Sequence, residues 1–298
     1  MKKTPRLTLG PLFFHWPADK RRDFYFRIAD EAAIDCVYLG EVVCSKREVF
    51  FEDMLFPIAE RLRKAGKEVV LSTLALVTSD REMKAIKDRV KAGFLIEAND
   101  VACLQALAGK PHVIGPFINV FNESARDFLI RGNATRIVLP VEIPAQSIGI
   151  IAGKTETEIQ VFGRQPLSVA MRCYSARAHG RHKDGCQFVC GRHPDGLTAD
   201  TVDGQPILTV NGTQTLSHGY AVLLRDLATL QKMGVTHFRL SPQDVDMVEV
   251  ARIYRAVLDG QAEVEESEKK LRKLTGDIPY VNGFLHGREG LAWVEDRI

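Results

Sequence analysis

Three of the chain's six cysteines fall in one charged segment, CYSARAHGRHKDGCQFVC, from Cys173 to Cys190. A fourth, Cys44, stands far upstream in YLGEVVCSKR. Four thiolates that meet in space suit either a tetrahedral zinc ion or an iron–sulfur cluster. Structural zinc sites favour paired CxxC knuckles. This set is one remote cysteine, the lone Cys173, and the CxxxC of Cys186 and Cys190, which better fits a larger cluster whose corners lie several ångströms apart. On a helix, the CxxxC spacing puts both sulfurs on one side, one turn apart. His179, His182 and His193 lie in the same segment and are able to replace a cysteine around zinc, so the zinc alternative stays open. Cys36 and Cys103 have apolar neighbours and read as small core residues.

The segment is also locally basic. Arg172, Arg177, Arg181, Lys183 and Arg192 face only Asp184. Such cations either compensate a negatively charged cluster, grip a carboxylate or phosphate in bidentate fashion, or form an ordinary solvated loop. Around Cys44, the residues Glu41, Ser45, Lys46 and Arg47 read as partners of the sulfurs or anchors of the segment, with anchoring favoured.

These residues need a scaffold that brings distant loops together. Short apolar runs lie at 8–16, 36–40, 68–76, 93–99, 112–121, 136–142, 158–163 and 237–242, with helix-length amphipathic stretches between them. Strands alternating with helices imply a parallel sheet, and eight such units predict an α/β fold closed as a TIM-type (β/α)8-like barrel. In such a barrel Cys44 and Cys173 both follow strands onto the C-terminal face, where active sites are built. The repeat breaks once, over 164–219, where the cysteine loop is followed by GLTADTVDGQPILTVNGTQTLS, whose DG and NG pairs predict a β-hairpin inserted after the seventh strand. Residues 1–260 are thus read as one barrel carrying this insertion, the stretch YAVLLRDLATLQKMG as a helix, and 261–298 as a tail docking on the barrel. Asn119, Asn122, Arg239 and Ser241 sit where barrel strands end and hold candidate functional positions, although Asn beside a turn is often a helix cap. His15 and Trp16 read as a packed aromatic rim.

Composition narrows the function. A hydrophobic fraction of 45% and a charged fraction of 26% are those of an ordinary globular chain, and a net charge of +2 disfavours nucleic acid as the partner. Pro5, Gly10 and Pro11 interrupt the basic, apolar start and argue against a signal peptide, and no run of eighteen apolar residues suggests a membrane span. The expectation is a cytoplasmic protein, in whose reducing surroundings unpaired cysteines bind metal, catalyse or fill cores.

The stretches GPLFFHWP, YLGEVVCSKR, LSTLALV, IEAND, CYSAR, TVNGTQTLS, FRLSPQ and NGFLHGREGL together resemble the collagenase-like peptidase superfamily, in particular its members that serve oxygen-independent ubiquinone biosynthesis. The resemblance runs over nearly the whole chain. Its most specific element is one cysteine after YLGE followed by three spaced thirteen and then four apart, the places held here by Cys44, Cys173, Cys186 and Cys190. It implies that these four bind a [4Fe-4S] cluster, and that the chain pairs with a UbiU-like paralogue as a heterodimer. Together the two hydroxylate the ring of a quinone precursor, with prephenate as oxygen donor and a UbiT-like lipid carrier as an associate. Catalytic side chains are not assigned by it. Relatives that hydroxylate RNA bases supply one alternative, and a zinc-stabilised, non-catalytic scaffold subunit supplies another. Peptidase activity is not expected, since the chain has no HExxH helix and no GxSxG elbow.

Overall fold

The computed structural model describes residues 4–298; Lys2 and Lys3 of the basic start lie outside the described residues. Its strands and helices, in chain order, are β1 (Arg6–Leu9), α1 (Ala18–Glu31), β2 (Cys36–Leu39), α2 (Glu52–Lys64), β3 (Glu68–Ser72), α3 (Asp80–Lys91), β4 (Leu95–Ala98), α4 (Val101–Ala106), β5 (His112–Ile114), α5 (Glu123–Arg131), β6 (Ala134–Val138), α6 (Ala145–Ile151), β7 (Glu156–Val169), α7 (Tyr174–Ala178), β8 (Leu197–Asp200), β9 (Pro206–Asn211), β10 (Gln214–Val222), α8 (Leu227–Lys232), β11 (His237–Leu240), α9 (Met247–Leu258), α10 (Val264–Thr275) and β12 (Tyr280–Val281). Strands β1 to β7 pair in sequence, all parallel, and β11 lies parallel to both β7 and β1, which closes an eight-stranded barrel. The expected TIM-type barrel is present. Its strands are short and buried, as in CVYL of β2, because helices cover the outside while side chains fill the inside.

The barrel interior is not wholly apolar. Glu158 accepts hydrogen bonds from Thr8 Oγ1 at 2.7 Å, Tyr38 OH at 2.5 Å and Arg239 Nε at 2.7 Å. The other arm of Arg239 reaches Glu97 at 2.8 Å, and Arg136 donates to Tyr38 at 3.1 Å and pairs with Glu68 at the barrel's base. Burial alone would raise the Glu158 carboxyl, but the guanidiniums of Arg239 and Arg136 outweigh it and hold it at about 2. Arg239 is therefore a pillar of the barrel floor. It is not available at the mouth.

Strand β7 runs on past the barrel. Its first half pairs with β6 and β11, and its second half turns away to pair antiparallel with β10, followed by β9 and β8. Gly163, at φ +99°, marks the departure, and a Cβ there would lie 2.8 Å from the Ser241 carbonyl oxygen. The insertion is thus a small antiparallel sheet built on the barrel's own seventh strand, with the expected hairpin as β9 and β10. One expectation is corrected here. Tyr220, Ala221 and Val222 are not helical, because they pair with Arg164, Gly163 and Phe162 of β7, and the helix begins only at Leu227. Beyond α10, β12 pairs with β10, Trp293 packs on Tyr280 at 6.0 Å, and Asn282 clamps Val294 through both backbone groups. No helix among the described residues is long and apolar enough to cross a membrane.

The interior polar groups give stability a defined pH dependence. Burial pushes His237 down to about 4, against the opposing pull of Glu158. Between its ordinary value near 6.5 and about 4, the unfolded chain takes up a proton that the native chain refuses. Stability therefore falls as pH drops through that window, by on the order of 2–3 kcal/mol from this group, and falls further toward pH 2 as the unfolded form of Glu158 protonates first. Denaturant midpoints at pH 7 and pH 4.5 measure this. His237→Gln should flatten the slope, and an unchanged slope in that variant would show that neutral His237 is not its source.

Candidate metal centre

Four chain segments meet beyond the C-terminal ends of the strands. In the loop after β2, the Glu41 carboxylate turns back to accept the backbone N–H groups of Val43 at 3.0 Å and Cys44 at 3.1 Å. A 3-10 turn, Ser45–Phe50, follows. Cys173 caps α7, its sulfur accepting from the Ala176 N–H at 3.4 Å. Cys190 lies in a second 3-10 turn, Val189–Arg192, and Cys186 in the loop before it.

The CxxxC is not a helical turn. Gln187 and Phe188 sit at φ +48° and +50°, which breaks any helix between Cys186 and Cys190. Two packing demands outweigh the local preference. The Phe188 ring meets Phe50 edge-on at 4.6 Å and His15 at 5.9 Å, and the carbonyls of Cys190 and His193 point inward to Asn211 Nδ2 at 3.1 and 2.9 Å.

Arg47 stands at the centre of these segments and is only 2% exposed. Its guanidinium donates to the Phe13 carbonyl at 3.0 Å, to the Asn211 carbonyl at 3.0 Å and to Asn211 Oδ1 at 2.7 Å, and lies 3.9 Å from Glu41. It also lies within the fields of Cys190 and Cys44. Lys46 is in electrostatic reach of Cys44 and Cys186, and its ammonium ties down Lys183 O at 2.9 Å and Asp184 at 2.8 Å. Cys173 in turn feels Cys190 and Cys186. Cys44, Cys173, Cys186 and Cys190 are all free thiols, and each lies within electrostatic reach of another of the four or of Arg47 or Lys46. Burial pushes the Cys44 and Cys173 thiols up. Among the described residues no three His, Cys, Asp or Glu side chains converge on a single-ion point. His179 and His193 face each other, Nε2 to Nε2 at 3.4 Å, and His182 is exposed.

The flanking residues act as anchors. Ser45 donates to Glu82 at 2.6 Å, and the Trp16 indole N–H to the Pro194 carbonyl at 2.8 Å. Burial and the nearby Arg47 push His15 down to about 4, so it packs as a neutral ring against Phe50. Cys36 lies inside the barrel among Tyr38, Val70, Val113 and Val138, and Cys103 donates to Thr73, so both belong to the core. Asn122 caps α5 through Ala125 N–H at 2.8 Å. Asn119, at φ +60°, borders a cavity of about 210 Å³ at the barrel mouth together with Phe117, Glu142 and Ser168.

Sequence reasoning missed Asn211 and Gly212, which it read only as turn residues. Asn211 is fully buried and binds Arg47, Cys190, His193 and the His15 N–H at once. Gly212 has φ +78°, and a Cβ there would lie 2.2 Å from Arg47 Nη2. An NG pair after a buried strand was the available signal, but its partner is remote in sequence.

With this geometry in hand, residues 25–295 match the sequence profile of Peptidase family U32, a span that includes all four cysteines. The chain belongs to peptidase family U32. Its barrel is also similar to solved structures. Dihydropteroate synthase (FolP) from Thermus thermophilus matches with 14% identity over 86% of this chain and 93% of that one, TM-score 0.44. The tryptophan synthase complex from Pyrococcus furiosus matches with 12% identity over 93% and 100%, TM-score 0.41. N-acetylneuraminate lyase from Fusobacterium nucleatum matches with 11% identity over 89% and 78%, TM-score 0.38. At this level of likeness none of them bears on the activity of this U32 protein.

Two substitutions test the anchoring of the U32 chain's cysteine segment. Gly212→Ala must expel the Arg47 guanidinium or distort the hairpin, and Asn211→Ala leaves buried groups unpaired at a cost of about 2 kcal/mol or more. Both should lower the melting temperature and speed proteolysis between residues 180 and 195. Wild-type cleavage rates in both variants would show that the segment is held by something else.

Proposed function

We propose that this chain is a UbiV-type subunit, which holds a [4Fe-4S] cluster on Cys44, Cys173, Cys186 and Cys190 and serves oxygen-independent hydroxylation of a ubiquinone precursor. It would do so as a heterodimer with a UbiU-like paralogue, with prephenate as oxygen donor and a UbiT-like carrier presenting the lipid. One observation carries the reading: four free cysteines from three separate segments lie within electrostatic reach of the buried Arg47 or of its neighbour Lys46. The donor set fits the cluster. Four thiols suit its irons, the buried Arg47 guanidinium lies in the fields of Cys44 and Cys190 and favours anionic sulfur, and the N–H of Ala176 points at the Cys173 sulfur. Such a cluster would supply one-electron redox chemistry that side chains lack.

The remaining roles fall to this chain's own residues. Arg47 and Lys46 offset the negative charge of four thiolates. Phe50, Phe188 and His15 pack their rings together at the Cys186–Cys190 loop and fix its course. The mouth cavity beside Phe117 offers a partly apolar space on the same face, since the Ala75 N–H in its wall bonds the Val42 carbonyl, two residues from Cys44. The family's peptidase label is not carried over, since the chain has no HExxH helix and no GxSxG elbow.

The test is made in cells. Deleting the gene should abolish ubiquinone made without oxygen and leave ubiquinone made in air unchanged. Cys44→Ala and Cys190→Ala should fail to restore it, and the wild-type gene should succeed. Normal anaerobic ubiquinone in the deletion strain would overturn the proposal.

A further inference from the structure

The basic stretch beside the cysteines has no counter-charges. Arg172, Arg177, Arg181 and Lys183 line a groove of about 480 Å³ with Cys173 in its wall. None of the four makes an ion pair or a side-chain hydrogen bond among the described residues, and the neighbouring carboxylate, Asp184, is taken by Lys46 at 2.8 Å. Elsewhere on the surface paired and unpaired cations both occur, Arg81, Lys84 and Lys87 of α3 being unpaired among the described residues. Arg22, Arg61, Arg89 and Arg225, for example, each hold a carboxylate. In a chain of net charge +2, four unpartnered cations within twelve positions are a local excess that repels itself until an anion arrives.

The form of the groove narrows the anion. Arg172 and Arg177 are exposed, and Arg181 and Lys183 are half-buried, so none is fixed in the dry, converging geometry that grips a small carboxylate. Met171, 59% exposed, adds an apolar contact among the charges, a combination common in protein interfaces. Of the groove's lining only His182 carries an aromatic ring, and no Phe, Tyr or Trp offers a second stacking platform, which favours a protein face over single-stranded RNA. An obligate subunit interface would be larger and more apolar. What fits is a brief, salt-sensitive encounter with an acidic protein face.

We infer that this groove is the docking surface for a small acidic electron-carrier protein, an iron–sulfur or flavin protein, which it brings against Cys173. The inference rests on the cluster reading above. In the step it serves, one electron leaves the reduced carrier, which is oxidised, and is accepted by the centre that the four cysteines hold. No bond forms or breaks and no proton need move.

The test uses a reduced acidic [2Fe-2S] ferredoxin as probe against the anaerobically purified full chain, with its iron counted beforehand. Binding is followed by calorimetry and electron transfer by stopped-flow absorbance. The wild type should bind at low ionic strength and lose at least tenfold in affinity at about 0.3 M salt, where screening shortens the reach of surface charge. Arg177→Glu combined with Arg181→Glu should cut the second-order rate at least tenfold while the iron count stays at the wild-type level. An unchanged rate in the double variant, or no salt-dependent binding by the iron-loaded wild type, would overturn the inference. So would displacement of the ferredoxin by single-stranded RNA or by the paralogue. Wild-type protein without iron would instead contradict the cluster reading, and ferredoxin binding to that iron-free protein, with and without the charge reversals, then decides the docking surface separately.

Discussion

Taking a guanidinium out of water costs several kcal/mol unless its donors are met. Arg47 meets that demand with acceptors from separate parts of the chain: the Phe13 carbonyl after β1, and the Asn211 side chain and carbonyl at the hairpin. Its own position, three residues past Cys44, binds the loop after β2 into the same knot. The guanidinium thus couples the barrel mouth to a sheet that would otherwise hang from β7 alone. Gly212 leaves the space that this requires, and Asn211 passes the constraint on to the carbonyls of Cys190 and His193.

Beneath that knot the barrel carries a second set of buried charges. Glu158 and Glu97 lie inside a closed ring of strands, where two carboxylates without partners would be expelled or neutralised. Arg239 bridges them, and Arg136 ties Tyr38 and the barrel base to the same network. Tyr38 and Glu158 of this network sit on β2 and β7, the strands after which Cys44 and Cys173 follow, so a rigid floor supports the loops above it. That floor contributes to specificity of the fold by satisfying each charge in one arrangement only.

Much of this was legible in the sequence, for identifiable reasons. Runs such as CVYLG and EVVLS are too short and too apolar for anything but buried strands, and their alternation with helices dictates the barrel. The cysteines stood out because their types are rare and their surroundings charged. Failures came where a remote partner decides. YAVLLRDLATL has an apolar spacing compatible with a helix, and only its pairing with β7 makes Tyr220–Val222 a strand. The CxxxC suggests a helical turn, yet the contacts of Phe188 and Asn211 twist it open. Arg239 read as a mouth residue because strand ends are polar in many barrels, and only the depth of Glu158 and Glu97 shows it to be part of the floor.

The central claim is that the four cysteines around Arg47 hold an iron–sulfur cluster. It is tested most directly by counting iron and acid-labile sulfide, with EPR of the reduced protein, on anaerobically purified wild type and Cys186→Ala. The account predicts about four irons and four sulfides per chain, with a low-temperature EPR signal, all lost or greatly reduced in the variant. One zinc per chain without sulfide would contradict it and leave the same barrel as a scaffold.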